Sequence, residues 1–377
     1  MGLLRLLLAT MVIFIHAGHL PGFPTMGGSL AVQTFYMISG FYMALILNEK
    51  YVAKPQAYRL FLTNRVLRLL PIYYIAVSLT LLTATAMALT IGRPELEFFR
   101  ALGDNYDRLS ISAIAFITFT NLTLIGQDWL SFLSIDPATG MLMFTSDFNQ
   151  STANLNSLLL VQPGWTISLE LTFYLIAPFV VRRSAWVLLL LILVSAMIKF
   201  SLSQYANLNS MAWSYRFFPS ELMYFVAGAL SYKAYRRLKN TALPIWLCPL
   251  ALSIAIVYTF FFGLIFQELV ALGLSGGVVS ALYRITIAFT LPFVFLYTKH
   301  SQFDTKIGEL SYPVYILHFL VWESLTAWKI GGTYVNLYTL VITLAIAYTL
   351  NRLIGERVEQ VRQRVFAQHS PVQPSMA

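Results

Sequence analysis

SAWVLLLLILVSAMIKFSL, residues 184–202, holds one charge in nineteen positions and follows directly on Arg182 and Arg183. Coiled at about 1.5 Å per residue, that run nearly matches a hydrocarbon core about 30 Å thick. The paired arginines in front of it mark a cytoplasmic end, because basic residues stay on the side from which a helix is inserted. Moving outward, runs of the same kind lie near 3–21, 29–47, 69–91, 165–181, 218–235, 243–265, 280–298, 307–327 and 335–354. Composition agrees: 58% of residues are hydrophobic and 11% charged, and the mean hydropathy is +0.69. A soluble protein carries about 25% charge, so neither a soluble enzyme nor a disordered chain fits. The reading is an all-α integral membrane protein, a bundle of about ten transmembrane helices. A further hydrophobic segment, 110–126, is short and carries Ser, Thr and Asn, and is expected to be re-entrant or peripheral. The single cysteine, Cys248, rules out a disulfide framework and a Cys-based metal site.

The formal charge is +9, and its placement argues for topology rather than for nucleic acid. With the N-terminus cytoplasmic, 18 of the 25 Lys and Arg fall inside. Among them are Arg5, the run Lys50, Lys54, Arg59, Arg65 and Arg68, and the group Lys233 to Lys239. The segment 127–164 has three Asp and no Lys or Arg, and is expected outside. Both termini are then cytoplasmic, with one transmembrane domain over residues 1–356 and a cytoplasmic polar tail at 357–377. The first span also resembles a secretory signal, but an ionisable residue interrupts its apolar stretch and no good cleavage site follows.

Ionisable side chains within spans are costly and by default mark a function in the bundle interior. His16 follows Arg5 by eleven residues, roughly 16 Å higher, and Glu170, Arg284 and His318 are expected at comparable depth. A histidine beside a carboxylate can exchange a proton near neutral pH. At the inner face, Arg65 and Arg68 share one side of a helix just before Pro71, with Arg5 at the same depth. Arginine forks bind phosphate bidentately, so the three suit a phosphorylated cytoplasmic ligand. They also fit as mere topology markers, and a lone intramembrane histidine also fits as a packing residue. Tyr73, Tyr74 and Trp213 read as interface aromatics.

Five motifs occur in order along the chain. RLLLATMVIFIH spaces Arg5 and His16 as Arg-x10-His. AVQTFYMISGF ends in Ser39, Gly40 and Phe41. FLTNRVLRLLP carries Arg65 and Arg68. WTISLELTFYLIAP carries Trp165, Glu170, Phe173 and Tyr174, and GELSYPVYILHFLV carries Ser311, Tyr312, Tyr315 and His318. Together they resemble the membrane-bound acyltransferase-3 family over nearly the whole chain. Two positions depart from its pattern: Gln33 stands where an acidic residue is usual, and Ala31 replaces the usual small residue before it. The resemblance implies transfer of an acyl group, most often acetyl, from cytoplasmic acyl-CoA to a hydroxyl of a surface or exported glycan or its lipid-linked precursor. Acyl-CoA would be a co-substrate, with no bound cofactor or metal. Membrane lipid and the glycan would be the partners, together with a separate glycan-assembly protein, and the site a bacterial inner membrane.

On that resemblance His16, Glu170 and His318 are the catalytic candidates, and Arg5, Arg65 and Arg68 hold the CoA phosphates. Arg284, Ser39, Trp165 and Tyr174 are substrate or oxyanion candidates, and the missing side chain of Gly40 leaves room for the thioester. The rival from another class is a transporter or flippase of a lipid-linked sugar using the buried ionisables as a proton pathway. Such folds often show repeated halves, which the sequence lacks. A non-catalytic scaffold would make His16 dispensable.

Overall fold

The computed structural model describes residues 1–52, 56–151 and 153–368. Lys54, His369 and the end of the tail lie outside the described residues. The chain begins with α1 (Gly2–Ala17), α2 (Gly28–Glu49) and α3 (Ala57–Ile91), then two shorter helices, α4 (Glu97–Asn105) and α5 (Ile111–Thr123). A segment of turns follows, with one antiparallel hairpin, β1 (Leu133–Ile135) and β2 (Leu142–Phe144), in which Ser134 faces Met143. Next come α6 (Gly164–Val180), α7 (Ala185–Gln204) and α8 (Phe218–Leu238). The remainder is α9 (Leu247–Phe260), α10 (Phe262–Ala271), α11 (Gly276–Thr298), α12 (Gln302–Ala327), α13 (Val335–Leu350) and α14 (Glu356–Gln368).

Among the described residues, five helical runs are long and apolar enough to cross a bilayer by themselves, or six if a bent pair counts as one. The expected runs are helical, but several differ in extent. α3 begins at Ala57 rather than near 69, and its 35 residues span roughly 52 Å. It therefore outruns a core of about 30 Å, and Arg59, Arg65 and Arg68 lie in its N-terminal third. The run at 243–265 is broken: α9 and α10 meet at 72°. α1 and α6, with 16 and 17 residues, are short apolar helices, and α5 has only 13. The expected tail at 357–377 is helical as far as Gln368; it continues α13 through a π-helical turn, Asn351–Gly355, and docks against α3.

The core is not organised by water-driven burial alone, since lipid tails are as apolar as leucine; close backbone approach by small residues contributes much of the packing. α2 and α8 show this best. A Cβ on Gly40 would overlap the Phe225 carbonyl oxygen, and one on Gly228 would overlap that of Met37. Gly40 thus serves the crossing of α2 and α8, which corrects the expectation that it leaves room for a thioester. α1 packs along α12, with Leu4, Leu8 and Ile13 fully buried.

The segment between α5 and α6 caps one end of the bundle. The Gln127 amide donates to the Tyr73 hydroxyl at 2.9 Å, and the Ser168 hydroxyl donates to Asp128 at 2.6 Å. Tyr73 is fully buried, its hydroxyl donating to the Asn121 carbonyl, so it is a core residue rather than an interface aromatic.

Candidate active site

α1, α2, α3, α6 and α12 enclose a cavity of about 750 Å3, its open mouth included. Arg5, Arg65 and Arg68 line one end, so the α1 and α3 arginines expected to meet do meet. Arg65 is 5% exposed, and its buried Nε makes no hydrogen bond among the described residues. Leaving such a donor unpaired is unfavourable.

Deeper in, Ser39 from α2 and Glu170 and Tyr174 from α6 line the wall. The Ser39 hydroxyl donates to Glu170 Oε1 at 2.6 Å, and the Tyr174 hydroxyl, one turn along α6, donates to the same oxygen. Arg5 lies within electrostatic reach of Glu170. At the far end stand Tyr36, Thr166 and Tyr315. The Tyr36 hydroxyl is buried and has no hydrogen-bond partner among the described residues.

One turn beyond Tyr315 on α12 comes His318, fully buried. Its Nδ1 donates to the Tyr315 carbonyl at 2.6 Å. A carbonyl can only accept, so the proton sits on Nδ1 and the neutral ring presents a lone pair at Nε2. That Nε2 has no hydrogen-bond partner among the described residues. His16, exposed at the end of α1, places its ring centroid 5.3 Å from that of His318 and is flanked by Phe319 at 5.2 Å. Neither histidine lines the cavity itself; Tyr315 connects the two regions.

The four ionisable residues expected at one depth therefore separate. Glu170 sits in the cavity wall, His16 pairs with His318, and Arg284 joins neither. Its Nε donates to Gln33 Oε1 at 2.8 Å, and the Gln33 amide donates to Glu221 at 2.9 Å, which also pairs with Lys199 at 2.9 Å. Depth along a helix axis fixes height but not which way a residue faces. Trp165 stacks against a guanidinium, that of Arg216, at 4.3 Å, instead of lining the cavity.

Sequence reasoning missed Arg216, counted only as an outside charge. It is 8% exposed, in a π-helical turn, Ala212–Arg216. It donates to Ser131 at 3.1 Å and to Asn156, tying the capping segment to the bundle near His16, on which it acts electrostatically. Single π-turns often mark functional positions, but nothing in the residues 212–216 announces one. Asp128, in the capping segment, was also missed: burial lifts its carboxyl from 3.8 to about 6, and the Ser168 hydrogen bond opposes part of that shift.

A helical membrane protein whose buried cavity runs from three arginines past a held carboxylate towards a histidine pair is built for group transfer within the bundle. The family model of the acyltransferase-3 group, described as an acyltransferase domain, matches residues 1–352, and the chain belongs to that family. Comparison with curated proteins and with solved structures gives no match.

Proposed function

We propose that this acyltransferase moves an acyl group, acetyl foremost, from cytoplasmic acyl-CoA to a hydroxyl of a surface or exported glycan or its lipid-linked precursor. The observation that carries the reading is the single cavity joining Arg5, Arg65 and Arg68 to Ser39 and Glu170. In this account the chain crosses a bacterial inner membrane ten times with both termini cytoplasmic. The arginine end then faces the CoA pool, and the histidine pair faces the acceptor. Residues 1–356 form one transmembrane unit, and a separate glycan-assembly protein supplies or takes the glycan.

The phosphates of CoA lie against the arginines and the thioester reaches past Glu170 towards Tyr36. His16 takes the proton from the acceptor hydroxyl, and the Nε2 lone pair of His318 accepts a hydrogen bond from the imidazolium that forms. The acceptor oxygen bonds to the thioester carbon as the carbon–sulfur bond breaks, and the proton ends on the CoA thiol. Tyr36 donates to the developing oxyanion, the kind of preorganised contact that favours a transition state. Arg284, held by Gln33 and near Glu221, belongs in this scheme to acceptor recognition.

The test is to supply acetyl-CoA labelled in the acetyl group to membranes carrying the protein. Label moving into glycan, only when the protein is present, is the expected result. Unlabelled glycan whose export nevertheless depends on the protein and on the proton gradient would replace the transferase with a transporter.

A further inference from the structure

The helix α14 lies beyond residue 352, where the family match ends, yet it reaches the arginine end of the cavity. Arg362 Nε donates to Asn64 Oδ1 at 2.8 Å, and the Phe366 ring meets that of Tyr51 at 5.6 Å. Asn64 immediately precedes Arg65 and lies one helical turn before Arg68, so Arg362 is brought alongside both. Arg65 and Arg68 are the cations that act most directly on it.

Four guanidinium groups, from Arg5, Arg65, Arg68 and Arg362, therefore share one region. Among the described residues, Glu170 acts on Arg5 and Glu359 on Arg362. Glu170 is already engaged by Ser39 and Tyr174, and Glu359, half-exposed, pairs with Arg362. Like charges this close repel more strongly as water is excluded, and the buried Arg65 Nε has no hydrogen-bond partner among the described residues to offset it. Such an arrangement is completed by a ligand with several negative charges.

Arg362 is not among the residues that line the cavity; it is held by Asn64, the residue next to Arg65, which does line it. With the thioester at Ser39 and Glu170, the diphosphate of CoA falls at Arg5, Arg65 and Arg68, leaving the adenosine end outermost. We propose that Arg362 is a fourth arginine of the donor site and binds the 3′-phosphate of CoA, so that the C-terminal helix is part of that site. The inference rests on the acyl-CoA reading above.

The test titrates the purified full chain in nanodiscs with CoA and with dephospho-CoA, which lacks only the 3′-phosphate. Loss of one charge-assisted pair to phosphate predicts that the wild type prefers CoA by about tenfold. Arg362→Gln abolishes the preference and leaves dephospho-CoA binding unchanged, whereas Arg362→Lys, which keeps the charge and a donor for Asn64, retains most of it. Arg362→Gln with its preference intact overturns the proposal. So does an equal loss for both ligands, which makes Arg362 only a latch holding α14 on α3. A wild type that binds neither ligand removes the donor reading itself, an outcome distinct from both.

Discussion

The His16 and His318 rings stand 5.3 Å apart, tilted by 43°, with the inner ring fixed and the outer one exposed. His318 is oriented by the Tyr315 carbonyl, and its buried Nε2 makes no hydrogen bond among the described residues; in the proposed mechanism it assists His16. A positioned acid–base group is worth roughly 10²–10⁴-fold in rate. His318→Gln is expected to lower kcat within that range and to leave KM for acyl-CoA almost unchanged, because His318 does not line the cavity in which the donor is proposed to lie. Steady-state kinetics with varied acyl-CoA check the split; a KM effect alone would place His318 in donor binding.

Glu170 accepts two hydroxyl donors on one oxygen. Glu170→Gln keeps an oxygen for both and loses only the charge, so it is expected to fold normally and to bind acyl-CoA but turn over slowly. Glu170→Leu leaves the Ser39 and Tyr174 hydroxyls unpaired, at a cost of about 1–3 kcal/mol. Thermal melting in detergent separates the two variants.

The membrane class, most of the helices and the arginine end of the cavity were legible in the sequence. Arg5 and His16 are eleven apart on α1, and the fixed rise along a helix separates them by roughly 16 Å. The azimuth was not legible: Arg284 is expected at the height of Glu170 but bonds to Gln33, which bonds to Glu221, and no pattern in a nearly all-apolar helix says which side meets which neighbour. Gly40 was legible as a special position, and its role was not, because the oxygen it accommodates belongs to Phe225, far along the chain. Arg216 and Arg362 read as topology charges until the π-turn and the docking of α14 placed them.

Gly40→Ala forces α2 and α8 apart, since the added methyl meets the Phe225 carbonyl and not a flexible side chain. Overpacking of this kind costs typically about 1–3 kcal/mol, occasionally more. A lower melting temperature is expected, with the loss of activity following the loss of folded protein. Folded Gly40→Ala protein with normal stability but no acyl-CoA binding would return the glycine to the donor path.

Asp128 predicts a dependence of stability on pH. Its folded carboxyl titrates at about 6 against 3.8 in the unfolded chain, so the folded state holds the proton more tightly. Stability therefore falls as pH rises from about 4 to about 6, by on the order of 3 kcal/mol at 1.36 kcal/mol per unit, and stays lower above that window. Asp128→Asn, which still accepts from Ser168, is expected to match the wild type near pH 4 and to melt higher at pH 7.5. Melting curves across that range check it; parallel curves for both proteins would show that Asp128 does not titrate there.

In the proposed mechanism the exposed member of the histidine pair takes the proton from a glycan hydroxyl. Mass spectrometry of envelope and secreted glycans tests this in cells with the intact protein, with His16→Ala at matched membrane level, or with neither. The expected result is an added acyl mass that requires the intact protein and disappears with His16→Ala. The same acyl mass in His16→Ala cells would rule out His16 as the base.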